Sequence, residues 1–222
     1  MRLVIMGPPG AGKGTQAVVL AGAIGVPHIS TGDIFRANVS AGTPLGVQAK
    51  AFMDAGEYVP DDVTNAMVRD RLAEADCGGG FLLDGYPRTL EQVGELDSML
   101  SSAQVGVEKV IELTVDVDEV VNRLMGRSAE QGRSDDGEDV IRRRLEVYFE
   151  STAPLTALYA KRGLLVQVSG MGCGLRLDYG VTPRAASTRP LTSSTTPMPL
   201  TCTSKPRFAY SAVSGAVDSK YT

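Results

Sequence analysis

Leu3-Val4-Ile5-Met6-Gly7-Pro8-Pro9-Gly10-Ala11-Gly12-Lys13-Gly14-Thr15 runs from an apolar tetrad into a glycine-rich loop that carries a lysine. The tetrad suits a buried strand, and residues 15–24 beyond the loop suit a helix with an apolar face. Between them, Gly7-x4-Gly12-Lys13 is the phosphate-loop pattern, with Gly14 in the usual Ser/Thr place and Thr15 after it. Glycines let the backbone wrap so that successive N–H groups face an anion, and the helix N-terminus adds partial positive charge. Lys13 can reach the β- and γ-phosphates, and Thr15 can meet phosphate or Mg2+. The loop indicates a nucleoside triphosphate and no more.

Four further apolar runs read as strands: residues 26–29, placed at an edge by Pro27, then 81–84, 110–115 and 164–168. The third strand follows the glycine turn Gly78-Gly79-Gly80. Helical patterns at 33–41, 45–55, 61–74, 90–101, 118–127 and 136–162 lie between them. Strands separated by helices pair in parallel through right-handed crossovers. The expected class is α/β, a five-stranded parallel sheet with helices on both faces.

Hydrophobic residues make up 43% and charged residues 22% of the chain, enough apolar side chain for a packed core and too much for wholesale disorder. The longest apolar run, residues 17–26, spans ten residues and includes two glycines, too short for a bilayer. No signal-peptide layout precedes the first strand, and three cysteines (Cys77, Cys173, Cys202) make neither a disulfide framework nor a zinc site. The expectation is a soluble, cytoplasmic protein, with Cys77 a small buried side chain.

The net charge of −4 conceals a break. Residues 1–172 carry 16 Lys or Arg against 24 Asp or Glu, a net −8. Residues 173–222 carry six against two, a net +4, with no Glu, fifteen Ser or Thr and five of the twelve prolines. That composition predicts a boundary near Gly172 and a disordered tail. The −8 region argues against a nucleic-acid surface, while a focused cationic cleft within it suits a small polyanion.

The cations are mostly arginine, twelve against four lysines in residues 1–172. Arginine is the planar, bidentate choice for phosphate. Arg36 follows the cap-like turn Ser30-Thr31-Gly32-Asp33, and Arg88 closes Asp84-Gly85-Tyr86-Pro87-Arg88 after the third strand. Arg123 and Arg127 share a helix face, Arg133 lies in a polar loop, and at most one or two of Arg142, Arg143 and Arg144 can point inward.

Together these residues resemble adenylate kinase, a nucleoside monophosphate kinase family of P-loop NTPase type. The resemblance rests on Gly7 to Gln16, Ser30-Thr31-Gly32-Asp33-x2-Arg36 and Asp84-Gly85-Tyr86-Pro87-Arg88. Asp54-Ala55-Gly56-Glu57-Tyr58-Val59-Pro60, Gly126-Arg127 and Thr152-Ala153-Pro154-Leu155 add to it, and it covers about residues 1–170. It implies reversible phosphoryl transfer from ATP·Mg2+ to AMP, giving two ADP, by a monomer with no nucleic-acid or membrane partner. By the same resemblance, Gly10, Ala11, Gly12, Lys13, Gly14 and Thr15 hold the donor phosphates, with Arg127 and the backbone near Gly172 by the donor nucleotide. Thr31, Arg36, Gly85, Tyr86, Pro87, Arg88 and Gln92, with the backbone of Glu57-Tyr58-Val59, surround AMP. Arg123, Arg133 and Arg144 bridge the transferring group, and Asp33 and Asp84 are outer-shell partners of hydrated Mg2+. Residues 30–59 form the AMP-binding insertion within a 1–172 core. Residues 127–137 form a short donor lid that leaves no room for a four-cysteine zinc site.

The implied nucleophile is a phosphate oxygen of AMP, ionised at neutral pH, so no general base is required. That agrees with a chain holding one histidine, His28, read as structural. Catalysis would rest on positioning and charge stabilisation of an in-line transfer. Thr31 favours AMP by resemblance, since uridylate and cytidylate relatives usually carry Ala there. A UMP/CMP kinase is the alternative among enzymes. The other alternative is a nucleotide binder with impaired activity. It arises because the family's helix after the fifth strand is not supplied by Cys173-Gly174-Leu175-Arg176-Leu177-Asp178-Tyr179-Gly180. Translation in a shifted frame would produce such a tail, and a natural disordered extension is the alternative.

Overall fold

The computed structural model describes residues 1–116, 119–121, 123–124 and 137–170. All lie in the first of two units into which the chain divides, Met1–Leu175. The readings of a disordered, frame-shifted tail and of a lid at 127–137 fall outside the described residues, apart from Gly137.

Strands β1 (Arg2–Met6), β2 (His28–Ser30), β3 (Phe81–Asp84), β4 (Lys109–Thr114) and β5 (Leu165–Ser169) form one sheet in the order β2-β3-β1-β4-β5. Every pairing is parallel. The proline-bearing second run is indeed at an edge, and its strand begins after Pro27, whose carbonyl accepts from Leu82 N–H at 2.9 Å.

The period-2 alternation of β1 divides the core. Leu3 and Ile5 face Ala17 and Ala21 of α1 (Lys13–Ile24). Val4 and Met6 face the opposite layer, with Val68 of α4 (Asp61–Leu72), and Val93, Leu96 and Leu100 of α5 (Leu90–Ser101). Cys77 is buried in that second layer, as its small size suggested. Strands covered on both faces read as near-continuous apolar runs, which is why they stand out in the sequence.

Helix starts follow local chemistry. The Ser30 hydroxyl accepts from Asp33 N–H and opens α2 (Thr31–Ala41). Thr43 caps α3 (Pro44–Ala55) and Thr89 caps α5 in the same manner. The pattern at 136–162, expected as one helix, is one helical run over residues 138–161 with a π-turn within it. Helix α6 (Glu138–Val147) passes through a π-turn, Tyr148–Thr152, into α7 (Ala153–Lys161). Pro154 has no N–H to offer the preceding turn, and the wider π-turn accommodates the break.

Candidate active site

The loop after β1 and the turn after β3 emerge side by side, because β1 and β3 are paired neighbours. This is the carboxyl edge where parallel α/β sheets bind ligands. Two adjoining clefts open there, and Lys13, Arg36, Arg88 and Arg144 line both.

The first cleft is lined by the glycine loop and the start of α1, including Gly10, Gly12, Lys13, Gly14 and Thr15. Lys13 Nζ arches over its own loop and donates to Gly7 O at 2.7 Å and Pro8 O at 2.8 Å. Gly10 has φ of +81°, and a Cβ there would come within 2.9 Å of Leu124 Cγ, so the loop admits no side chain at this point. Ala11 is buried beneath it. Asp33 and Asp84 also line this cleft. Asp84 is buried, whereas Asp33 is more open and pairs with Arg36 at 2.5 Å. His28 Nε2 lies 3.5 Å from Asp84 Oδ2, buried and without a hydrogen-bond partner. The lone histidine, first residue of β2, thus stands in the cleft lining next to a carboxylate.

The second cleft brings together Thr31, Arg36, Glu57, Tyr58, Val59, Gly85, Tyr86, Pro87, Arg88 and Gln92, all singled out in the sequence. The Thr31 hydroxyl donates to Gly85 O at 2.9 Å, and Arg88 Nε donates to the same carbonyl at 2.6 Å. Gly85 has φ of +80°, and a Cβ would sit 2.9 Å from both Thr31 Oγ1 and Arg88 NH2. The Tyr86–Pro87 bond is cis. Burial pushes the Tyr86 phenol well above its usual pKa, so it remains a donor, here to Asn65 Oδ1 at 2.7 Å. The Arg88 guanidinium rests over the Tyr58 ring, 4.8 Å from its centroid.

Of the three consecutive arginines of α6, only Arg144 lines the clefts. Arg142 pairs with Glu138, and Arg143 pairs with Glu57 and Glu146. Arg123 reaches the first cleft while bonded to Glu119 and to Gly170 O at 3.1 Å. Arg127, Arg133 and Gly172 lie outside the described residues.

Three contributors escaped the sequence reading. The Thr152 hydroxyl donates to Arg88 O at 2.9 Å and lies 2.8 Å from Tyr58 Oη. The Tyr58 side chain, expected to act by its backbone alone, is the platform for Arg88. Asp61 accepts from Gln92 Nε2 and from the Thr89 hydroxyl. The only signals were Thr152 beside Pro154, which marks a helix break, and an acid at a helix start, which has a local explanation.

Among the described residues, no group of three His, Cys, Asp or Glu could hold a metal by itself, and no helix is long and apolar enough to cross a membrane.

A family model described as adenylate kinase matches residues 5–164. The chain is 62% identical over 172 residues to the adenylate kinase of Nocardioides sp. (strain ATCC BAA-499 / JS614), covering 78% of this chain and 90% of that protein. It is 60% identical over 171 residues to the adenylate kinase of Kocuria rhizophila, covering 77% and 91%. The adenylate kinase of Thermobifida fusca is 58% identical over 172 residues, covering 78% and 91%. With two clefts meeting at shared cations and a match across nearly all of the first unit, the chain belongs to the adenylate kinase family.

Proposed function

We infer that the two clefts hold the two nucleotides of one phosphoryl transfer, with ATP in the glycine-loop cleft and AMP in the other. The chain is a phosphotransferase, a nucleoside monophosphate kinase that converts ATP and AMP reversibly to two ADP. The observation that carries the assignment of clefts is their junction, where Lys13, Arg36, Arg88 and Arg144 line both.

Backbone N–H groups of residues 10–15 and Lys13 cradle the donor phosphates. Arg36 and Arg88 hold the AMP phosphate, and Arg123 and Arg144 flank the group in transfer, with Arg133 joining from the lid. Arg127 and Gly172 attend the donor nucleotide. The AMP phosphate oxygen needs no deprotonation, so these side chains bind, orient and neutralise. Closure of residues 30–59 and 127–137 over the clefts excludes water as a competing acceptor.

The donor cleft fits Mg2+ that arrives on the nucleotide. Asp84 and Asp33 line the same cleft as Thr15, too few for a metal site of their own, and would hold the ion through its hydrating water. When bound, the ion supplies charge neutralisation of the β- and γ-phosphates. We place the enzyme in the cytoplasm as a monomer with a 1–172 core.

The test is ADP formation from ATP plus AMP by the full-length chain, read by a coupled assay. Turnover with AMP well above that with UMP or CMP supports the reading. Preference for a pyrimidine acceptor overturns the AMP assignment, and nucleotide binding without turnover identifies an impaired binder.

A further inference from the structure

We propose that Asp61 sets the nucleobase selectivity of the acceptor cleft by locking the orientation of the Gln92 side-chain amide. The proposal rests on the reading of that cleft as the AMP site. Gln92 is 1% exposed yet lines the cleft. Its Oε1 accepts from the backbone N–H of Arg88 at 2.7 Å, and its Nε2 donates to Asp61 Oδ1 at 2.6 Å. Turning the amide over would set its NH2 against a backbone donor and its carbonyl against an acceptor-only carboxylate. Two partners of opposite kind therefore fix which end is which.

Asp61 is itself held in place. It is the first residue of α4, following Pro60, and its Oδ2 accepts from the Thr89 hydroxyl at 2.6 Å. Thr89 in turn caps α5, accepting from Gln92 N–H at 3.1 Å. Asp61 stands behind Gln92, outside the cleft lining, so it is a positioning residue.

After these bonds the amide retains one N–H and one lone pair on Oε1 for a ligand. Adenine presents an amine donor at C6 and a ring acceptor at N1. Hypoxanthine presents the reverse, a carbonyl acceptor at C6 and a donor at N1. An amide with fixed ends complements one order and opposes the other, and opposed buried donors or acceptors cost more than a missing contact. The arginines engage the phosphate of either nucleotide alike, so they cannot discriminate. The uncharged amide, in a lining shared with Phe35, Met53 and Val59, can.

The experiment is equilibrium binding of AMP and of inosine 5′-monophosphate to the full-length chain by calorimetry, for the wild type, Asp61→Ala and Asp61→Asn. The wild type should prefer AMP. Asp61→Ala should reduce the AMP-to-inosine-monophosphate affinity ratio about tenfold, the loss of roughly one buried charge-assisted hydrogen bond. Asp61→Asn keeps a carbonyl acceptor and should restore most of the ratio, which a general loss of stability would not do. A thermal melt establishes that each variant is folded, and Asp61→Ser, too short to reach the amide, replaces Asp61→Ala if the latter does not fold. An unchanged ratio in the folded variant, or equal binding of both nucleotides by the wild type, overturns the proposal and leaves the AMP site standing. Failure of the wild type to bind AMP overturns that site and this proposal with it.

Discussion

The two clefts solve one problem by different means. The donor cleft takes six of its lining residues from one short run, Pro9 to Thr15, whose proposed binding groups are backbone N–H and a lysine folded over its own loop. The acceptor cleft is assembled from the end of β1, α2, the α3–α4 connection, the turn after β3, α5 and the π-turn, and held by side-chain hydrogen bonds that span up to 94 positions. Backbone donors recognise any polyphosphate, whereas a network of oriented side chains can discriminate among bases. The difference teaches where specificity can reside in a kinase whose chemistry needs no acid or base.

That contrast can be broken by substitution. Lys13→Ala should have the largest effect, about 4 kcal/mol in transition-state stabilisation, because this cation lines both clefts and, in the proposed transfer, meets the developing charge. Steady-state turnover with both nucleotides varied would show it, and a loss below tenfold would mean the junction is not where transfer occurs. Arg88→Ala should cost about 3 kcal/mol in kcat/KM for AMP, in line with loss of a charge-assisted bidentate contact. Unchanged turnover together with unchanged AMP affinity would refute it.

Gly85→Ala sharpens the comparison more finely. Its Cβ would displace Thr31, which lines the acceptor cleft alone, together with Arg88, so about 1–2 kcal/mol should appear in AMP binding with a smaller loss in ATP binding. Equal losses for both nucleotides would show that the clefts are not separable. Tyr58→Phe should have the smallest effect. It keeps the ring under Arg88 and removes the link to Thr152, so the KM for AMP should rise by a factor corresponding to about 0.5–1 kcal/mol.

The same contrast explains what could be read in advance. The glycine loop, the Ser30 cap and the turn ending at Arg88 were legible because each is a local pattern set by backbone geometry and near-neighbour hydrogen bonds. A parallel sheet with helices on both faces followed from the alternation of strand and helix, whereas the order β2-β3-β1-β4-β5 did not. Thr152 and Asp61 were not legible, because their partners, Arg88 and Gln92, lie on other elements and are fixed only by packing. The break at Tyr148–Thr152 was hidden by an apolar spacing that continues through it, with Leu145, Tyr148, Thr152, Leu155 and Tyr159 all buried. Periodicity reports which face is covered, and a π-turn changes the register of that face without removing it.

The strand order also bears on how the chain is made. The strand that leads into the phosphate loop is synthesised first, but Arg2 pairs opposite Phe81 and Leu3 opposite Lys109. On a ribosome, its two flanks remain without ladder partners until residues 81–84 and 109–114 have emerged. One long loop must then close before the centre of the sheet gains its first ladder, and a second before its other edge is paired. An elongation arrest before residue 109 would leave the central strand of the sheet with an open edge, a species prone to pair with other nascent chains.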